Sequence, residues 1–221
     1  MKILAIEFST EQRSAAVVDA EVAATPVLLG QATETNPRTV GPLALIEQTL
    51  HTAGLERETV DCLAVGLGPG SYTGIRAAIA LAQGWQIARG IRLLGLGSVE
   101  CLAALAHSSG WRGRVSFVFD AQRGELYLTG CLLRETDWEI TEPLRLATVA
   151  EAKSRGEQGD ILAGPEVTRW FPAGRILFPS AAMLGRLAAA RGDFVPGEKL
   201  EPVYLRETTF VKAPPPRVRP A

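Results

Sequence analysis

The chain has 221 residues, 47% of them apolar and 21% charged, with a net charge of −1. That is enough for one large domain or two small ones around a real core, and the balance is that of an ordinary globular protein. Near-neutrality excludes a global electrostatic footprint for nucleic acid or membrane. Three scattered cysteines, Cys62, Cys101 and Cys131, are odd in number and lack any CxxC pair, which excludes a disulfide framework and points to a reducing compartment.

The opening KILAIEF (residues 2–8) turns polar at Ser9, too short an apolar run for a secretory signal. With RSAAVVD (13–19) it predicts a β-hairpin, and PVLLGQATE (26–34) predicts a third strand. Leu43, Ile46, Leu50 and Ala53 then fall on one helical face, with Pro42 suited to the first turn and Gly54 to the stop. DCLAVGLG (61–68) reads as a buried strand, GPGSYTG (68–74) as a loop, and 73–90 as a helix closed by Gly90. IRLLGLG (91–97) is a further strand, and Ser98 is predicted to cap a helix through about His107.

The second half opens on another hairpin, RVSFVFD (114–120) and ELYLTGCLL (125–133), joined by the turn AQRG. A helix near 147–155, a strand at 160–164 and a helix near 180–190 follow, and the end KAPPPRVRPA is Pro-rich. Each half thus starts with a hairpin whose first strand ends in an acid, Glu7 or Asp120, a pattern that suggests duplication.

The glycine-rich loop is the most specific feature. It is not a P-loop, since no lysine lies between Lys2 and Lys153, and it is not a dinucleotide fingerprint, since Ser71 stands where the third glycine belongs. What remains is a strand, a tight turn and a helix start with Ser71 and Thr73 as candidate caps; such a start can hold an anion or only its own caps. GxSxG is absent, so a nucleophile elbow is excluded. His51 and His107, the two histidines, are spaced for no metal motif.

Between 75 and 88 only Arg76, Gln83 and Gln86 are polar. The run falls short of the ~20 residues of a membrane span, so no membrane contact and a cytoplasmic location are expected. A helix this apolar must be covered on more than one side. The cover is either the chain itself or, together with the helix at 43–53, a second subunit. Glu7 and Asp120 could instead hold a magnesium–nucleotide between lobes, as in an ATP-dependent phosphotransferase.

Taken together, MKILAIEFST, AVGLGPGSYTGIRAAIALAQG, GLGSVECLA, FDAQRGELY and PVYLR resemble the TsaB (YeaZ) family, in order, from residue 1 to about 206. The resemblance implies a degenerate α/β two-lobed fold of the actin, Hsp70 and sugar-kinase superfamily, each lobe a mixed sheet flanked by helices. It implies an N-terminal lobe over 1–98 carrying dimerisation helices, a C-terminal lobe over 99–206, and a disordered tail over 207–221.

It also implies a non-catalytic scaffold subunit in the synthesis of N6-threonylcarbamoyladenosine beside the anticodon of tRNAs reading A-starting codons. The partners implied are a TsaD-like transferase, which carries the metal-binding histidines, a TsaE-like ATPase, and a second copy of the chain. Contact with tRNA is then indirect. ATP and magnesium belong to the complex, and no cofactor is expected on this subunit.

The interface implied consists of Leu43, Ile46, Leu50, Gly68, Pro69, Gly70, Ser71, Tyr72, Thr73, Gly74, Ile75, Arg76, Ile79 and Ala82. A vestigial nucleotide site would use Glu7, Ser9, Thr10 and Asp120. Two stretches depart from the family. Glu7-Phe8-Ser9-Thr10 stands in place of a DTST-like turn, which weakens that nucleotide site, and Asn36-Pro37-Arg38 stands in place of a His-Ser-like helix start.

Overall fold

Strand-forming runs joined by short turns, residues 8–12 in one half and 121–124 in the other, give each half of the chain the same start. The computed structural model describes residues 1–21, 25–35 and 41–205; the expectations for Asn36-Pro37-Arg38 and for the tail lie outside these residues. In the first lobe β1 (Lys2–Glu7), β2 (Arg13–Asp19) and β3 (Val27–Glu34) form an antiparallel meander, and β4 (Cys62–Gly66) and β5 (Arg92–Leu96) add in parallel beyond β1. The order is β3-β2-β1-β4-β5.

In the second lobe β6 (Gly113–Asp120), β7 (Glu125–Leu133) and β8 (Trp138–Thr148) form the meander, with β9 (Ile161–Gly164) and β10 (Arg175–Ile176) parallel beyond β6. The order β10-β9-β6-β7-β8 is the same path read from the other edge. Glu7 and Asp120 therefore end equivalent strands, the relation that a duplication predicts.

β8 escapes the sequence reading. Its alternation is interrupted by Pro143, and the pairing with β7 shifts register on either side of Gly130, opposite Glu142. A proline is tolerated because β8 is an edge strand whose outer amides need no partner strand.

Among the described residues five α-helices cover the sheets. The α1 (Pro42–Ala53) and α2 (Tyr72–Arg89) helices lie on the face of the first sheet that presents Leu4, Ile6, Val17, Leu63 and Val65. On its other face Ile3, Ala5, Ala16, Cys62 and Leu94 meet α3 (Ser98–Ser108) and α5 (Ala181–Ala189). The α3 helix is shared. Cys101 and Ala104 face the first sheet, while Leu102, Ala103 and Ala106 face Phe117, Tyr127 and Leu133 of the second.

The α4 helix (Val149–Glu157), opened by a capping box of Thr148 and Glu151, covers the far side of the second sheet. α5 comes late in the chain yet packs on β1 and β2, where the Ala181 amide donates to Ser14 Oγ at 2.9 Å. The segment after it stays on the first lobe: Val195 donates its amide to Leu93 O at 3.0 Å and Val203 to Leu67 O at 2.9 Å.

All three cysteines are buried and free. Burial pushes the thiols of Cys62 and Cys131 up to about 11, as expected of small core residues. No described helix is long and apolar enough to cross a membrane.

The β6–β7 turn runs through three residues at positive φ, Gln122 (64°), Arg123 (57°) and Gly124 (79°), and Asp120 Oδ1 accepts the Gln122 amide at 2.7 Å. Left-handed backbone costs a non-glycine residue about 1–2 kcal/mol, of which the added flexibility of glycine returns roughly half. Arg123→Gly is therefore expected to raise stability by about 0.5–1 kcal/mol, read as a melting point about 1–4 °C higher.

Candidate functional site

The glycine loop packs backbone against backbone. The Ser71 amide donates to Ser9 O at 2.6 Å, and the Ser98 amide donates to Gly68 O at 2.8 Å. A Cβ on Gly70 would sit 2.0 Å from Ser9 O, and one on Gly74 would sit 2.0 Å from Phe8 O. Ser71 is the N-cap of α2, its Oγ accepting the Gly74 amide at 3.3 Å, whereas Thr73 lies exposed inside the first turn and caps nothing. With Phe8 O and Ser9 O against it, this helix start is filled by the chain's own turn.

Ser98 is likewise not a cap. Gly97 holds that position in α3, and the Ser98 hydroxyl is spent on Glu7.

Glu7 does not reach the space between the lobes. Its Oε1 accepts the Ser9 amide at 2.8 Å, its Oε2 accepts from Ser98 Oγ at 2.9 Å, and Gly66 leaves room for it where a Cβ would meet Oε2 at 2.2 Å. Asp120 does line the cleft, but its Oδ2 accepts from Arg169 Nη1 at 2.8 Å. The two acids needed to hold a magnesium–nucleotide thus do not face one site. That overturns the pairing on which the phosphotransferase reading rested. Ser9 and Thr10 line the cleft with Asp120. Among the described residues no group of three or more His, Cys, Asp or Glu is placed to hold a metal.

Burial pushes the Glu7 carboxyl above its ordinary value, opposed by the hydrogen bonds from Ser9 and Ser98. A raised native pKa means that the folded state holds the proton more tightly than the unfolded chain. The stability this contributes is complete below the unfolded value of 4.5 and is lost as pH rises through the native one. In Glu7→Gln the Nε2 can donate to Ser98 Oγ, whose own proton turns to Ser9 Oγ, 3.1 Å away. The melting point of Glu7→Gln relative to the parent is therefore expected to climb as the buffer goes from about pH 5 to about pH 8, by a few degrees.

The α2 helix is covered on two sides by its own chain. Ile75, Ala78, Ile79 and Ala82 bury into the sheet. Gln83 Nε2 donates to Gly197 O at 2.8 Å, and Gln86 Oε1 accepts the Gly197 amide at 2.7 Å, so the segment around Gly197 covers an adjacent flank. The face opposite the sheet carries Thr73, Ala77, Ala80, Gly84 and Ile87, and Ile87 is 87% exposed. A Cβ on Gly84 would meet nothing within 4 Å. On α1, over the same side of the sheet, Leu43 is 55% exposed.

The residues expected at the interface divide accordingly. Ile46, Leu50, Gly68, Pro69, Gly74, Ile75, Ile79 and Ala82 are enclosed by this chain, because the sheet, α1 and the Phe8–Ser9 turn close over them. Leu43, Ser71, Tyr72, Thr73 and Arg76 are exposed, with Gly70 half-buried. Ala80, Gly84 and Ile87 were not among the expected interface residues, although Ala80 and Gly84 are small; their spacing of four and three on the face away from Ile75 and Ala82 was the available signal.

The duplicated lobe, an antiparallel meander extended by two parallel strands, with helices on both faces of the first sheet and a cleft between lobes, defines the two-lobed class of actin, Hsp70 and the sugar kinases. Residues 42–186 match the family model described as TsaD: tRNA N6-adenosine threonylcarbamoyltransferase. The Escherichia coli K12 "tRNA threonylcarbamoyladenosine biosynthesis protein TsaB" is 28% identical over 97% of this chain and 99% of its own length. The Haemophilus influenzae protein of the same name is 30% identical over 58% of the chain and 53% of its own length.

Among solved structures, YeaZ from Pseudomonas aeruginosa superposes with a TM-score of 0.74 at 25% identity, covering 92% of this chain and 99% of that one. A second Pseudomonas aeruginosa structure, an uncharacterized protein with similarity to peptidase YEAZ, gives 0.75 at 26% identity over 93% and 99%. The chain belongs to the TsaD-type family that the matched model describes, in its TsaB (YeaZ) branch.

Proposed function

We propose that this chain is the non-catalytic partner subunit of a TsaD-like threonylcarbamoyltransferase, acting in the synthesis of N6-threonylcarbamoyladenosine on tRNA. The near full-length likeness to a TsaB protein supports the pathway. The outward face of α2 carries the subunit role. Gly84 costs a helix interior about 1 kcal/mol relative to alanine, and none of the described residues needs the space it leaves. A face that is small-sided along Ala77, Ala80 and Gly84 and ends in a bare Ile87 suits close approach by a second helix.

A TsaE-like ATPase and a homodimer of this chain are part of the same proposal, the homodimer using the same face in the absence of the transferase. Leu43, Tyr72, Thr73 and Arg76 then form the rim, with Arg76 Nη1 donating to Tyr72 OH at 2.9 Å to fix both side chains. Among the described residues no constellation supports chemistry by this chain itself: Glu7 is sealed from the cleft, and His51 and His107 stand on different helices.

Co-expression with the TsaD-like transferase, followed by the mass of the purified complex, tests the reading. One copy of each chain is the expected result. Separate elution of the two at micromolar concentration rules the subunit role out.

A further inference from the structure

The α2 helix carries two charged side chains, Arg76 and Arg89, and they are treated differently. Arg89 Nη1 lies 3.8 Å from Glu58 Oε1 and its Nη2 donates to Glu58 O at 2.9 Å. Among the described residues no carboxylate comes within ion-pairing distance of Arg76, which is exposed between Thr73 and Ala80 on the outward side of the helix.

Arg76 is nevertheless held in place. Its Nη1 donates to Tyr72 OH at 2.9 Å, its Cζ lies 5.0 Å from the centre of the Tyr72 ring, and it also hydrogen-bonds the Tyr204 hydroxyl. Tyr204 stacks on Tyr72 with ring centroids 5.3 Å apart and planes inclined by 29°. Val203, whose amide donates to Leu67 O at 2.9 Å, delivers Tyr204 to that stack. A guanidinium free in water samples many rotamers, and fixing it consumes part of any binding energy. Here the two phenols have fixed it beforehand. Its fork matches a carboxylate bidentately, and tyrosine and arginine are residue types in which binding energy concentrates at protein interfaces.

Self-pairing does not supply the missing acid. The α1 and α2 helices of a second copy offer one carboxylate, Glu47, and Arg57 holds it. Two copies meeting through α2 therefore leave both Arg76 groups without a carboxylate from those helices.

We propose that Arg76, positioned by Tyr72 and Tyr204, is the residue by which the α2 face selects its partner, taking a carboxylate of the transferase subunit in a bidentate hydrogen bond. The inference rests on the subunit reading and deepens it. The small residues of α2 allow any close helix to approach, whereas Arg76 favours one that brings an acid. Tyr204 is a positioning residue: it acts through Tyr72 and Arg76.

The test measures the dissociation constant of the full chain for the TsaD-like transferase, and self-association of the chain alone by sedimentation. Arg76→Ala is expected to weaken the heterocomplex about tenfold or more, and Arg76→Lys, which keeps the charge but not the fork, to recover only part of the loss. Tyr204→Ala should also weaken it, and Tyr204→Phe, which keeps the stacked ring, should recover most of the affinity. Between about 50 and about 500 mM salt the parent should lose several-fold more affinity than Arg76→Ala does. Tyr204→Ala should flatten that dependence too, which a loss of packing alone would not do. Self-association should not weaken in Arg76→Ala. A heterocomplex of Arg76→Ala within about twofold of the parent overturns the proposal, as does an unaltered salt dependence or an equal loss of self-association. Absence of any complex with the parent chain sinks the subunit reading and this inference with it; a complex that forms but ignores Arg76 sinks this inference alone.

Discussion

Ala80→Glu and Ile87→Glu are each expected to leave the chain folded and alone: a monomer in sedimentation, no recovery with the TsaD-like transferase, and a melting point within about 2 °C of the parent. Both side chains point away from the sheet, so in the isolated chain the new carboxylate stands in water at little cost. In an assembly it would be buried without a partner, which costs roughly 3–5 kcal/mol and weakens association on the order of a hundred- to a thousandfold or more. The same substitution at Ala78 or Ala82, positions equally attractive in the bare sequence, probes something else, because both are fully enclosed in the core under α2 and a charge there unfolds the lobe. Gly84→Ala separates the two effects: it should stabilise the free chain by about 0.5–1 kcal/mol while loosening the complex. Retention of the partner by both Glu variants places the interface elsewhere.

Gly74→Ala, and Gly70→Ala with it, should cost more than any other single methyl group in the first lobe. The added carbon would lie 2.0 Å from Phe8 O or Ser9 O, well inside contact distance, and those oxygens belong to backbone rather than to a side chain that can swing away. Relief requires moving the β1–β2 turn off the start of α2, which breaks the Ser71–Ser9 hydrogen bond and lifts Phe8 from the core. A loss of about 4 kcal/mol or more is expected, seen as a melting point lower by roughly 8–16 °C, with association lost as a consequence. A melt unchanged within 2 °C would mean that the turn and the loop do not touch as described. Gly70 and Gly74 of GPGSYTG thus serve close packing between two turns, a structural use that the sequence pattern already favoured over anion binding although either needs a bare backbone at a helix start.

Local order was the readable part of this chain. The alternation of KILAIEF and RSAAVVD, the Pro42 and Gly54 stops of α1, and the equivalent acids of the two hairpins each depend on neighbours a few residues away, so they are legible in one dimension. β8 was lost because Pro143 and the register shift at Gly130 break the very alternation by which an edge strand is recognised. Glu7 was misplaced for another reason. Nothing adjacent to it announces that Ser98, far along the chain, will bring a hydroxyl to its carboxylate.

From the residues alone came the family, the duplicated strand pattern, and the need for more cover on α2 than one sheet can supply. A helix apolar around most of its circumference carries no directional signal, however, so its facing could not be read from its own letters. Three-dimensional packing chose. The sheet took Ile75, Ala78 and Ala82, the returning segment at Gly197 took the glutamine flank, and Ala80, Gly84 and Ile87 were left outward. That choice is made by other elements, the Gly197 segment more than a hundred residues away in sequence, and burial is a property of what arrives there.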